Sequence, residues 1–499
     1  MNINIKMKYL FAASLTSLLM MSCSEDMMDR INEDKAHPAA AAVDAKYQIT
    51  DAEVATAYSV VNGSYAWYVS SYTEQIFGTG NNQLKNAELR NIGETAAAAT
   101  FNNEWNATYL NLFNLYQIIE KCGEGGVSEG QADVLGMAQT LSALNWGVLT
   151  DLHGDVPFSE CFQNISAPKI DKQEDIYKAI FDLLDAAIAN FEAGEKNAGS
   201  QDIIFKGDLD QWIGFAHALK ARYLLHTMGR NSSVLSEVIT EAEAALDAGF
   251  TGATLDVFNG VTADNAWSAY FWSREYNGSC TTVDNLMLDR DDPREAIYNI
   301  DYWGGDVVAE PGDQELAMAT EVVNVPQWLD NGAAYLHLFS KSELYFIIAE
   351  AKARLGQDAS AEFQLGVVAS MEDYSATGAV YTPAITEQEI TDYLAGIQPL
   401  FDADPLKEIL IQKYIAQTRD EQIETYNDIR RCNYVDGGYP VELTNPNNTS
   451  SAGNRWPLRL PYGESDVQSN PNIADAFGKG SEAGNYIFTE NVWWAGGSR

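Results

Sequence analysis

The chain has 499 residues, of which 46% are hydrophobic and 20% charged, enough to bury a sizeable core and too apolar for a wholly disordered polymer. Lys and Arg number 31 against 71 Asp and Glu, a formal net charge of −40. A surface so acidic repels polyphosphate and argues against nucleic acid as a partner.

The amino terminus carries Lys6 and Lys8, and residues 9–21 then form an uncharged apolar run that ends at Ser22-Cys23. Such a run is too short for a permanent membrane-spanning helix and has the layout of a secretory signal. A cysteine directly after a small residue at its end resembles a bacterial lipoprotein signal, in which the thiol is acylated and becomes the mature N-terminus. Residues 1–22 are then the signal peptide, Cys23 carries the lipid, and residues 23–46 form a tether. Several acyl chains on one residue would hold the protein on a membrane surface. Glu25, Asp26 and Asp29, close behind Cys23, resemble the export signal that sends some Gram-negative lipoproteins to the outer face of the outer membrane.

Residues 58–76 are predicted helical at about 100° per residue. Tyr58, Val61, Tyr65, Tyr68, Val69, Tyr72 and Ile76 share one arc and read as core, while Trp67 lies opposite among Gly63, Ser70, Ser71 and Glu74. A large ring on a small polar face has either a second packing partner or a ligand. The loop from Gly78 to Gln83 follows and offers three amides, Asn81, Asn82 and Gln83.

Apolar residues at helical spacing then predict helix pairs, 131–151 with 174–193, 208–228 with 232–248, 340–356 with 359–371, and 386–398 with 406–430. Ile176, Ala179, Ile180, Leu183, Leu184 and Ala187 mark one buried face; Trp212, Phe215, Ala216, Leu219 and Tyr223 mark the next. Ser128 with Gln131 and Ser340 with Glu343 have capping-box spacing, Asp404-Pro405 sets a cap before a first-turn proline, and Gly194, Gly229, Gly249 and Gly356 follow helix ends. Two-helix units of this size stacked side by side are the tetratricopeptide type of architecture, without its strict sequence repeat. Residues 250–338 and 432–499 are rich in Gly, Asn, Asp, Pro and aromatics and are predicted to be long loops with short strands or helices. The expected fold is mostly α: a tetratricopeptide-like helix-pair scaffold packed against an irregular, loop-rich ligand-binding part, with residues 47–499 as one composite domain.

Long loops on a rigid frame are where binding usually resides. A sugar ring shows a C–H patch on one face and hydroxyls around its edge, so a flat aromatic beneath and amide or carboxylate partners beside it are the sign to seek. Within residues 264–272, Trp267, Tyr270 and Trp272 alternate with small and polar groups. If that segment is helical, Trp267, Tyr270 and Phe271 share a face that can be core, and Trp272 points elsewhere. Tyr302-Trp303 precede two glycines that leave the rings uncovered. Together with Trp67, these aromatics are the candidate ligand contacts, with Asn81, Asn82 and Gln83 as edge partners.

Catalytic signatures are missing: there is no Gly-x-Ser-x-Gly, no His-Glu-x-x-His and no phosphate loop. The five histidines include His217 and His226 on one helix, a spacing that suits packing better than a shared metal. With 71 acids some carboxylate pair always falls at a glycosidase distance, so a pair carries no information. Asp289, Asp291 and Asp292 could take calcium but lack the spacing of a dedicated loop. No catalytic residue, metal or cofactor is therefore expected. Cys122, Cys161, Cys280 and Cys432 are too widely spaced for a compact framework or a zinc site and read as buried free thiols.

The run from Asn145 to Phe158, with Asp151-Leu152-His153-Gly154-Asp155-Val156-Pro157 at its centre, resembles the signature of the SusD/RagB family of outer-membrane nutrient-binding lipoproteins. Further pieces follow in that family's order: Ala218 to Leu225, Asp292-Pro293-Arg294, Ser342-Glu343-Leu344 leading to Ala349-Glu350-Ala351, Gln412-Lys413-Tyr414, Asp428 to Arg431, and Pro457 to Tyr462. The ending Arg459 to Tyr462 and the terminal Val492-Trp493-Trp494 resemble most the SusD-like subgroup with diverse ligands. The resemblance implies a surface lipoprotein that sits as a lid over a SusC-like TonB-dependent β-barrel, captures an oligosaccharide or other bulky nutrient without chemistry, and delivers it for import. A peptide ligand is the alternative that the RagB branch suggests; a surface glycoside hydrolase or a pure helical scaffold stands further off. The motif residues also have structural roles open to them. Asp155 can cap a turn, Pro157 forces extended chain, and Arg294, Arg430 and Arg431 are expected to pair with buried carboxylates.

Overall fold

The computed structural model describes residues 43–80, 83–274, 277–304, 307–319, 321–446 and 456–498. The expected signal peptide, Cys23, most of the expected tether, Asn81 and Asn82 lie outside the described residues.

The helices that build the frame are α1 (Lys46–Val54), α2 (Ser64–Tyr72), α3 (Asn102–Cys122), α4 (Ala132–His153), α5 (Gln173–Glu192), α6 (Leu209–Thr227) and α7 (Leu235–Asp247), then α8 (Ala266–Arg274) in the loop-rich stretch. The frame resumes with α9 (Lys341–Arg354), α10 (Ser360–Gly378), α11 (Glu387–Ala403), α12 (Pro405–Gln417) and α13 (Gln422–Val435). The fold is mostly helical, and among the described residues the strands pair only as three short antiparallel ladders. These join β1 (Phe77–Gly78) with β5 (Asn277–Gly278), β2 (Val156–Pro157) with β3 (Ile170–Asp171), and β4 (Ala253–Leu255) with β6 (Leu336–Phe339).

The expected pairs are present: α4 packs on α5, α6 on α7, α9 on α10 and α11 on α12. The stripe of α5 behaves as its spacing requires. Ile176, Ile180, Leu184 and Ala187 are buried, Ala179 and Leu183 half-buried. Each fully buried aliphatic side chain of this kind contributes roughly 1.5–3 kcal/mol of transfer free energy. Ser340 caps α9 by accepting from the Glu343 N–H at 2.9 Å, and Asp404 caps α12 ahead of Pro405. Gly194, Gly249 and Gly356 take positive φ beyond their helices.

Three local expectations are corrected, and one helix was not expected. The helix over 58–76 is broken: a π-helical segment Ala55–Val61 ends at Asn62-Gly63 before α2 begins. Asn62 there turns its amide to the carbonyls of Ala57 and His337, and a Cβ on Gly63 would sit 2.3 Å from the Ser59 carbonyl oxygen. The helix over 406–430 is two helices, because the peptide between them is held from outside. Asp420 accepts from the backbone and ring of His337, and Glu421 from the backbone and hydroxyl of Ser340. Ser128 does not cap α4; its hydroxyl accepts from Ala45 N–H at 2.8 Å and fixes the start of α1. α3, a 21-residue helix packed between α1 and α4, was not signalled by the helix-pair spacing.

Helix-to-helix geometry is fixed by buried ions. Arg222 on α6 reaches Glu343 on α9 at 2.8 Å, Arg431 on α13 reaches Glu350 on α9 at 2.9 Å, and Lys413 on α12 reaches Asp428 on α13 at 2.7 Å. Arg294 is held by Asp292 in the same way. Arg430 differs from expectation: it donates to the carbonyl oxygens of Asp151 and Leu458 and lies over the rings of Tyr426 and Trp494, so carbonyls and π-faces take the place of a carboxylate. Cys161, Cys280 and Cys432 are free thiols; Cys122, Cys280 and Cys432 are buried, and Cys161 is only half-buried.

Candidate ligand-binding site

α8 sorts its aromatics by face. Trp267 and Phe271 are fully buried and Tyr270 nearly so, whereas Trp272 is 47% exposed. Asn265 starts the helix by accepting from the Ser268 N–H, and its amide donates to the Asn331 carbonyl at 2.8 Å. Asn331 in turn donates to the Thr377 carbonyl at the end of α10. Three separate pieces of chain are thereby fixed to one another: α8, the 3₁₀ turn Gln327–Asp330 and the end of α10.

That turn presents Asp330. Trp328 and Leu329 are buried, which leaves Asp330 at the rim, and the indole N–H of Trp272 donates to its Oδ1 at 2.9 Å. Gln327 places the second partner. Its Nε2 donates to Ala296 O and Thr382 Oγ1, and its Oε1 accepts from Tyr381 N–H at 2.7 Å. The loop after α10 is thus locked so that the Tyr381 hydroxyl donates to Asp330 Oδ2. Tyr302 packs edge-on against Trp272, Trp303 and Tyr381 at centroid distances of 6.1, 4.6 and 5.9 Å. Trp303 leans on Phe271. Burial among these rings pushes the Asp330 carboxyl above the usual carboxylate range, against hydrogen bonds from Trp272 and Tyr302 that hold it down.

The result is a shallow surface of near-perpendicular rings around one carboxylate, with Trp272 and Tyr381 (55% exposed) offering the most open area. Such a surface can stack a sugar's C–H face and accept a hydroxyl at its edge.

Of the residues expected from sequence, the fold brings Trp272, Tyr302 and Trp303 together. Trp67 stacks on Tyr270 at 3.8 Å with the planes 16° apart and touches Trp267 edge-on, so it has found the packing partner that its polar helix face required. Trp267 and Tyr270 are corrected as ligand contacts, because both point into the core and show almost no surface. Gln83 is exposed but lines a separate cleft of about 190 Å³ with Tyr68, Asn86 and Glu94. Asp292 is fully engaged by Arg294 and Tyr393, so the Asp289, Asp291, Asp292 run does not converge on a cation. Asp330 and Tyr381 were missed; nothing in a lone Asp after Trp-Leu or a lone Tyr past a helix end signals that they meet.

Two other places invite comparison. A groove of about 540 Å³ between α3, α4 and α5 is lined by Tyr116, Trp146, Phe158 and Phe162, with Asp182 its one charged wall. Asp151, His226 and Glu424 lie close enough to hold a metal ion, yet their atoms already serve one another. The His226 ring meets Asp151 at 3.3 Å and Glu424 at 2.9 Å, and Asp151 also accepts from Trp494.

The family described as SusD-like, starch-binding and associating with the outer membrane, matches residues 18–463. Among solved structures, a SusD/RagB family protein from Bacteroides thetaiotaomicron is 33% identical and superposes with a TM-score of 0.83, covering 92% of this chain and all of its own. A chitin-binding protein (21% identity, TM-score 0.71, 91% of this chain and 100% of its own) shares the fold. So does a chitin-binding SusD homolog from Flavobacterium johnsoniae (19% identity, TM-score 0.65, 90% of this chain and 98% of its own). No curated protein matches the sequence. Among the described residues, no helix is long and apolar enough to cross a membrane.

Proposed function

The chain belongs to the SusD-like family, and on that premise we propose that it is a non-catalytic nutrient-binding protein that grips an oligosaccharide on Trp272, Tyr302, Trp303 and Tyr381. The observation that carries this role is the ring cluster around Asp330, held open to solvent by a frame of buried hydrogen bonds. The chitin-binding names of two proteins of the same fold support a glycan over other nutrients. Binding without hydrolysis fits the state of Asp330. Glycoside hydrolysis uses a pair of carboxylates flanking the bond, whereas the ring cluster surrounds a single one, Asp330. The role extends to the cell surface: acylated Cys23 tethers the protein to the outer membrane, on its extracellular face, and a SusC-like TonB-dependent barrel receives the ligand.

Aromatic contacts contribute about 0.5–1.5 kcal/mol each beyond area burial, and a Kd of about 1 mM corresponds to about −4 kcal/mol. Three or four rings with a few edge hydrogen bonds therefore predict affinities from millimolar to tens of micromolar. Titration calorimetry of the mature chain with α-glucan and chitin oligosaccharides tests this. Binding that weakens at least tenfold in Trp272→Ala is the expected result; no heat and no shift in melting temperature with any oligosaccharide would exclude the ligand role.

A further inference from the structure

Resting on the glycan-binding role proposed above, we infer that Asp330 sets the charge class of the ligand, admitting neutral or amino-bearing saccharides and rejecting uronate or sulfated ones. The ring cluster surrounds one carboxylate and supplies it with indole and phenol donors instead of a cation. Among the described residues, Asp330 takes hydrogen bonds from the Trp272 indole and the Tyr381 phenol and forms no ion pair with a Lys or Arg. The nearest basic residue along α8 is Arg274, two positions beyond Trp272, and side chains so spaced leave a helix on opposite sides. Recognition of a carboxylated or sulfated sugar normally relies on guanidinium or ammonium partners placed at the anion. Here a ligand anion would meet a fixed negative charge at short range, on a chain that already carries −40.

The lone pair of Asp330 left over by Trp272, Tyr302 and Tyr381 can accept a sugar hydroxyl. It serves an ammonium still better, and the flanking π-faces attract the same charge. The chemistry of the patch therefore orders saccharides as amino-bearing or neutral first, carboxylated last.

The experiment uses matched probes that differ only in charge: α-glucan and chitin oligosaccharides, each in its neutral form and after oxidation of the primary hydroxyls to uronate. Affinities are measured by calorimetry at low and high salt for the unmutated chain, Asp330→Asn and Trp272→Ala. The oxidised form is expected to bind the unmutated chain at least tenfold more weakly than its neutral parent. That gap should shrink at high salt, which reports the charge even if the variant folds poorly, and should close to within about threefold in Asp330→Asn. An oxidised form that binds as tightly as its parent, and is lost in Trp272→Ala, would overturn the charge assignment and leave the ring site standing. Failure of every probe to bind would remove the glycan role itself and this inference with it.

Discussion

At the scale of single residues, α8 separates what a ring does by where it points. Trp267 and Trp272 are five positions apart on one helix; one is buried against Trp67 and the other half-exposed over Asp330. Trp272→Ala should cost at least tenfold in oligosaccharide affinity while leaving stability within about 1 kcal/mol, since little of its surface is lost from the core. Trp267→Ala should do the reverse, lowering the unfolding free energy by about 3–5 kcal/mol through the cavity it leaves. Urea unfolding and calorimetry on the same two variants distinguish them. Arg431 is the sharpest case among the ions. Its guanidinium meets Glu350 and Asp428 with no solvent access, so Arg431→Leu removes the cation shared by two buried carboxylates and leaves Glu350 to Arg354 and Asp428 to Lys413. A loss of about 3–5 kcal/mol is expected from denaturant unfolding.

Between elements, close approach and buried charge decide how the helices meet. Gly147 lets α4 lie against α6: a Cβ there would fall 2.0 Å from the Tyr223 hydroxyl oxygen and 2.3 Å from its ring. Because that ring is buried and cannot step aside, Gly147→Ala should destabilise by about 1–3 kcal/mol through overpacking. His226 clamps α6 to α13 and to the end of α4. Burial alone would lower its pKa, but Asp151 and Glu424 on either side raise it to about 9. The unfolded value is about 6.5, so the folded state holds the proton more tightly. The stabilisation is complete below about pH 6.5 and is lost as pH rises toward 9, on the order of 3 kcal/mol in all. In urea titrations the advantage of the parent over His226→Gln should therefore be largest near pH 6 and shrink above pH 8. A pH-independent difference would show that the imidazolium is not the species in the clamp. On the acid side the sign is opposite. Arg222 and His226 outweigh burial and hold Glu424 down to about 2, so its contribution is present above about pH 4.3 and disappears as pH falls through 2.

For the whole molecule, the helix stack acts as the frame and the loop-rich stretch as the hand. The ring site draws on α8, residues 302–303, the 3₁₀ turn and the loop after α10, four pieces spread over more than a hundred residues of chain. Attachment and grip are separable on this plan. Cys23→Ser should release the protein from the membrane fraction, while the purified chain keeps its oligosaccharide affinity within about twofold; a chain that stays with membranes would place the tether elsewhere. Pull-down of the native protein from outer membranes should bring a large β-barrel with it.

What the sequence determined by itself was what short-range physics encodes. A 3.6-residue apolar period names buried faces, a Ser or Asp three residues before a free N–H caps a helix, and an ordered set of motifs from Asn145 to Tyr462 points to the family. Only the tertiary structure decided where those periods are interrupted, because the breaks at Asn62-Gly63 and at 418–421 are stabilised by partners such as His337 and Ser340, far along the chain. It also decided which rings pack inside and which stay open to solvent. Trp67 and Trp272 look alike as exposed-side tryptophans, and their fates differ because Tyr270 covers one while Asp330 and Tyr381, brought in from 58 and more residues away, frame the other without covering it. A helical period says which way a side chain leaves its own helix; what stands opposite is set by the packing of everything else.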